Sequence, residues 1–433
     1  MLKLDPFRLD RTLARYAGQH ARFEALLARG GAAEHAFELR PAELDRELLD
    51  ELHGAGDRDP LAEPLARWSS FLLLEHALVE PEVRASEALH LAQHQLDRPE
   101  RGRFSLAEMR RRAVLDAPRR AGWLEALEAH AQHLQSTRFE LFERRAERAI
   151  ALGVTRPAPL SALPRGAERC LDSTADAYAE LDVGSLPRLL ELGSGRDVPG
   201  AFPTRLSLRV LGELLHERHW LSGLEPRLER LPEVWGASSF LRALRAFGSA
   251  LHDAGASTRQ PFCVAREPYG LRRALFGNLF ALLPLNPAFA ARRLDVGRGR
   301  FPEYLRALGR VVLLGVRVDC VRAQLAEASP LGIRSYHEAF NERIPAAFGF
   351  ELRPGLAGAL WVDEQAARRL AALLAAVAKN AELIQTHDED WFRNPRAVEE
   401  LRAELESAPP REFPKEQLER GLEMLARTLN ESS

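Results

Sequence analysis

The sequence predicts an all-α protein, and three observations carry that expectation. Apolar residues recur at three- and four-residue spacing through nearly every segment. Gly and Pro punctuate the intervals between those segments. Strand signals are nearly missing: Phe262–Val264 reads as one short strand, and Val311–Val318 is apolar but long enough to prefer helix.

The helices follow in order. Leu9–Arg29, Pro41–His53, Pro60–Val79, Glu82–Leu96, Leu106–Leu115 and Arg120–Leu152 carry the helical period, with Gly30-Gly31, Gly54–Pro60, Pro81 and Pro118 as breaks. Gly153 to Pro164 is Pro-rich and aperiodic. It marks a boundary between an N-terminal helical lobe, 1–155, and a helical body, 156–433. The body is expected to hold Glu168–Leu181, Leu186–Leu192, Thr204–Leu221, Ser238–His252, Gly270–Leu283, Pro302–Ala328, Tyr336–Phe348, Glu364–Gln385, Pro395–Glu406 and Pro414–Leu429. No repeat of 20 to 50 residues is visible.

Composition narrows the function classes. With 433 residues, 46% hydrophobic and 28% charged, the chain is long enough for two or three domains or one large helical body. A formal net charge of −2 argues against nucleic-acid and membrane-surface roles. Lys3, Lys379 and Lys415 are the only lysines, so 57 of the 60 basic residues are Arg, interspersed with Glu and Asp. With abundant Ala and Leu, this is the mark of a GC-rich bacterial coding bias rather than of RNA binding. Cys170, Cys263 and Cys320 are too far apart in the chain to propose a disulfide framework or a Cys-based zinc site. Met1–Asp10 lacks a signal-peptide core and no apolar run reaches about 18 residues, so a cytoplasmic location is expected.

Several local patterns imitate active sites. Leu190-Glu191-Leu192-Gly193-Ser194-Gly195-Arg196 looks like a nucleotide-binding glycine turn, but the buried strand it needs is absent, and a glycine-capped helix end is expected instead. Glu213, His216 and His219 share a helix face, as do Glu87, His90 and His94, and His130 with His133. In a chain with 13 His, such pairs are expected to be polar faces or interhelical bonds. Tyr336-His337-Glu338 and His387–Asp390 are expected in surface or capping roles, with Trp391-Phe392 anchoring the last helices.

The most informative stretch is Arg245-Ala246-Phe247-Gly248-Ser249-Ala250-Leu251-His252. It agrees at five of eight positions with a zinc-peptidase helix of the pattern His-Glu-Phe-Gly-His-Ala-Leu-His. In a helical H-E-x-x-H the two imidazoles ligate zinc from one face and the Glu is the general base. Arg245 and Ser249 stand at the two His places and Ala246 at the Glu place. A fixed cation, a poor neutral ligand and a methyl group supply none of that chemistry.

Three further segments fall in the order such a peptidase has them. Arg266-Glu267-Pro268-Tyr269-Gly270, 18 residues past Ser249, resembles the turn carrying a third ligand. Gly277–Phe280 through Asn286–Leu294, followed by Val312–Leu325, is similar to the helices after it. Asp390–Ala397 with Leu401 resembles a Trp-Trp/Phe, Pro-x-Ala segment. Together they resemble the oligopeptidase F and thimet-oligopeptidase-like zinc metallopeptidases of the gluzincin clan, over roughly Glu168–Leu405. The resemblance implies a two-lobed, zincin-like all-α body with a central channel. It also implies that Glu267 alone survives of four active-site positions, and that an Arg245–Glu267 ion pair replaces the metal. His252, Tyr269, Tyr336 and His337 are expected to line the channel.

The expected function is that of a catalytically inactive, metal-free pseudo-peptidase without a cofactor. It would bind a peptide or a protein partner, such as an active paralogue, with no role for nucleic acid or membrane. Two alternatives stay open: a hydrolase with a relocated metal site built from His216, His219, His252 and Glu267, and a purely structural helical scaffold.

Overall fold

Helix succeeds helix in a computed structural model of the chain, which describes residues 5–29, 33, 35–40, 43–56, 59–95, 106–153, 166–215, 220–221, 224, 226, 228, 233–328, 332–356, 366–410 and 412–432. No strand occurs among the described residues. The protein is all-α. Phe262–Val264, read from sequence as a strand, is instead part of a single helical turn, Phe262–Ala265, because Asp10 satisfies its first two N–H groups. Both Asp10 oxygens accept, from the Phe262 N–H at 2.9 Å and the Cys263 N–H at 2.8 Å. An anion at exposed helix N–H groups favours the turn over the extended form.

The N-terminal helices are α1 (Pro6–Arg29), α2 (Arg46–Ala55), α3 (Ala62–His76), α4 (Val79–Gln95), α5 (Leu106–Leu115) and α6 (Arg120–Ala151). Pro81 does not separate elements: it sits in the first turn of α4, where its missing N–H costs nothing. The chain continues with α7 (Gly166–Ser173), α8 (Ala175–Ala179), α9 (Leu186–Ser194) and α10 (Leu208–Leu215). Glu168–Leu181 is therefore two helices, broken at Thr174, whose hydroxyl donates to the Cys170 carbonyl at 2.8 Å. The glycine turn at 190–196 is a helix end, with Gly195 at φ 67° capping α9.

The remaining helices are α11 (Ala237–Gly255), α12 (Phe262–Ala265), α13 (Leu271–Ala281), α14 (Pro287–Arg293), α15 (Phe301–Ala328), α16 (Ile333–Phe348), α17 (Ala366–His387), α18 (Pro395–Glu406) and α19 (Lys415–Ser432). A packed series runs α11, α13, α17, α19, with α15 laid against the last two. α15 is apolar on two sides. Leu308, Val311, Val316 and Cys320 join the largest cluster, while Leu314, Val321 and Leu325 join a second one shared with α5, α6, α9 and α16. A third cluster unites α1, α2 and α3 with Cys263 of α12.

Two buried arginines bind these layers by donating to backbone carbonyls. Arg317 of α15 donates to the Ala347 carbonyl at 2.7 and 3.1 Å, to the Leu171 carbonyl at 2.9 Å and to the Thr174 hydroxyl at 3.0 Å. Those carbonyls lie at the C-terminal ends of α16 and α7, where the helix dipole favours a cation. Arg272 of α13 does the same for α18, donating to the carbonyls of Glu404, Leu405 and Ser407. The aromatic pair Trp391-Phe392 is fully buried and anchors the C-terminal helices as expected. The Trp391 indole donates to Asn380 at 3.1 Å, and Trp220 donates to the Phe392 carbonyl at 2.7 Å.

Candidate functional site

The segment Arg245–Ser249 lies where α11 crosses α13 at backbone contact. A Cβ on Gly248 would stand 2.4 Å from the Phe276 carbonyl oxygen, and one on Gly277 would stand 2.6 Å from the Ser249 hydroxyl. Only two glycines allow that approach. Ser249 is buried and donates its hydroxyl to the Arg273 carbonyl at 3.3 Å, an interhelical hydrogen bond that occupies the position read as a lost ligand. Ala246 keeps partial exposure.

Arg245 lies deep in the same crossing, although part of its surface reaches solvent. Its Nε is buried without a hydrogen-bond partner. Burial pushes the guanidinium below its ordinary range, Asp319 of α15 pulls it back, and Arg369 and Arg242 push it down further. Glu267 is not among its partners. The Arg245–Glu267 ion pair expected from the sequence is not formed, because each group answers to different neighbours.

Glu267 serves α13 instead. It precedes that helix, and its Oε1 accepts the Arg272 backbone N–H at 2.5 Å, so the carboxylate caps a helix N-terminus. Burial pushes its carboxyl up to about 7, against the Arg272 N–H and the nearby charges of Arg272, Arg67 and Arg368. Tyr269 lies beside this group. Arg368 of α17 sits 3.7 Å above its ring centroid, and Phe71 of α3 meets its edge at 5.5 Å. The Trp68 indole of α3 donates to the Arg266 carbonyl at 3.0 Å, fixing the same turn against the N-terminal helices. A half-buried carboxyl thus sits among arginines from α3, α13 and α17.

His252 joins the two loci but has no lone pair to spare. Its Nε2 accepts from Arg272 Nε at 3.3 Å, and its Nδ1 faces Asp253 Oδ1 at 3.3 Å. That pattern assigns the Nδ1–H tautomer, and burial pushes its pKa down, keeping the ring neutral. Asp253 is held below the usual carboxylate range: burial opposes this, but the bond to His252 and Arg273 at 2.9 Å prevail.

Tyr336 and His337 belong elsewhere. Tyr336 is fully buried against Phe139 of α6, ring centroids 4.9 Å apart, which rules out the surface role expected for it. His337 contacts Gln135 of the same helix, while Glu338 pairs with Arg334 at 3.0 Å on the surface. They share neighbours with each other, not with His252 or Tyr269.

His216 and His219 lie outside the described residues, as do the side chains of His90, His94 and His133. His130 is fully buried in α6, and Glu213 pairs with Arg209 at the surface. Among the described residues, no three His, Cys, Asp or Glu side chains converge as a metal-ligand set. Cys170 and Cys320, distant in sequence, meet across α7 and α15 as free thiols.

No family model, no curated protein and no solved structure matches this chain. The geometry therefore stands by itself.

The residues that organise the site but escaped the sequence reading are arginines: Arg67, Arg272 and Arg368. A signal was present for one of them: Arg272 stands between Leu271 and the Leu275-Phe276 pair. A cation on an apolar helix face is tolerated only where carbonyls or anions meet it.

Proposed function

We propose that the chain is a catalytically inactive, metal-free relative of the oligopeptidase F and thimet-oligopeptidase-like zinc peptidases. It is a cytoplasmic, two-lobed helical body whose channel holds a peptide or a protein partner, such as an active paralogue, without cutting it. The observation that carries this reading is the employment of the four positions a zinc peptidase would need. Ser249 is committed to an interhelical hydrogen bond and Glu267 caps α13. Arg245 is a cation, and Ala246 has no proton to exchange. Hydrolysis of a peptide bond needs an activated water and a base. As placed, none of these four groups holds a metal to activate that water.

The test is the purified full-length protein, measured for bound metal and incubated with a quenched fluorescent peptide library, then titrated with the same peptides in binding mode. The expected result is substoichiometric zinc, no chelator-sensitive cleavage and saturable peptide binding. One zinc per chain together with chelator-sensitive cleavage overturns the reading.

One observation favours a second reading. A carboxyl pushed up to about 7 beside Tyr269 and three arginines is poised for proton transfer near neutral pH. Under that reading Glu267 is the acid/base of a metal-independent reaction. Chelator-resistant turnover that disappears in Glu267→Gln would favour it over the first.

A further inference from the structure

The charge around Arg245 is out of balance. Arg242 and Arg245 lie one turn apart on the same face of α11, and the charge of Arg369 on α17 also acts on Arg245. Of the charged groups that act on Arg245, Asp319 attracts it while Arg242 and Arg369 repel it. Asp319 is shared, since its carboxylate already accepts from Arg322 at 3.4 Å. Arg317 and Arg272 show how this fold satisfies a buried guanidinium when the role is structural, with three or more carbonyls or hydroxyls around each one. Arg245 receives nothing comparable: its Nε has no partner. Its stem runs against α13 at Gly277, its Cγ 3.0 Å from where a Cβ there would stand. A partly exposed guanidinium beside a second one, its counter-charge shared with another arginine, costs stability unless an anion completes it.

We infer that Arg245, with Arg242 beside it, is a receptor for a carboxylate, and that the ligand of the proposed channel is a peptide held by its C-terminal carboxylate. The inference rests on the peptide-binding reading above. The planar fork of a guanidinium matches a carboxylate with two parallel hydrogen bonds, and every unmodified peptide carries one such group at its end. The position that would hold a metal cation in a peptidase thus holds a cation that belongs to the protein. It grips the end of a chain rather than polarising a bond within it.

The experiment uses the full-length protein and an octapeptide pool labelled with fluorescein at the N-terminus, once with free C-termini and once amidated, read by fluorescence anisotropy. The free pool is expected to bind about tenfold or more tightly than the amide, the size of one charge-assisted contact. Arg245→Gln should remove that difference, and Arg245→Lys, which keeps charge but not the fork, should retain only part of it. Without ligand, Arg245→Gln should also raise the melting temperature, since an unpaired cation is removed. A fall would mark Arg245 as structural and overturn the inference. Equal binding of the two pools by the wild-type protein overturns carboxylate recognition and leaves peptide binding standing. Binding of neither pool overturns both. Displacement of the free pool by inorganic phosphate as effectively as by acetate would assign a general oxyanion site and overturn the peptide C-terminus as ligand.

Discussion

Replacing Gly248 by Ala probes the contact on which the α11–α13 crossing depends. The added Cβ would stand 2.4 Å from the Phe276 carbonyl oxygen and 2.8 Å from Phe280 Cδ2, where ordinary contact begins at 3.4 Å. The nearest atom is backbone and cannot rotate away, so the two helices would have to part by about 1 Å. Overpacking of this kind costs about 1 to 3 kcal/mol, and a backbone obstacle places it at the upper end. Ala recovers about 1 kcal/mol of helix propensity over Gly. The net expectation is a loss of about 2 kcal/mol. Gly315→Ala is the matched control: that glycine is exposed within α15 and a Cβ there meets nothing within 4 Å. Only the propensity gain of about 1 kcal/mol remains. Urea unfolding followed by circular dichroism should separate the two variants by about 3 kcal/mol. If Gly248→Ala were as stable as Gly315→Ala, the helices would not meet at their backbones, and the account of Ser249 as a packing residue would fail with it.

Three other outcomes are expected. Glu267→Gln keeps an oxygen for the Arg272 N–H but removes the ionisable group. Because the folded carboxyl is raised to about 7, the folded state binds more protons than the unfolded one between pH 4.5 and 7, and wild-type stability falls as pH rises through that window. The advantage of the variant should therefore grow from pH 5 to pH 8, by up to about 3 kcal/mol. A pH-independent difference in melting temperature would contradict this. Arg317→Met leaves the Ala347 and Leu171 carbonyls without their donor and should cost about 3 kcal/mol, with Arg317→Lys restoring only part; a wild-type melting temperature would refute the capping role. Asp10→Asn offers one acceptor where two N–H groups need two, and should cost about 1 to 2 kcal/mol. Faster hydrogen exchange at residues 262 and 263 is its signature, and unchanged protection there would sink it.

The sequence by itself determined the helices and some of their ends. Apolar spacing alone located α11 and α15, and the Gly195 turn was legible as a cap because glycine takes φ 67° at no steric cost. Trp391-Phe392 was legible as an anchor, since two adjacent aromatics after an acidic turn have few other uses. What the sequence left open was partnership. The family likeness points Glu267 toward Arg245, yet the Arg272 N–H at the start of the following helix takes its carboxylate. Phe262–Val264 was extended by composition and helical in fact, because its cap comes from Asp10, some 250 positions away. Periodicity is a property of neighbours in the chain, so it survives in the sequence. Which carbonyls surround Arg272 and Arg317, and that so little surrounds Arg245, depends on how separate helices cross, and only the tertiary structure decides that.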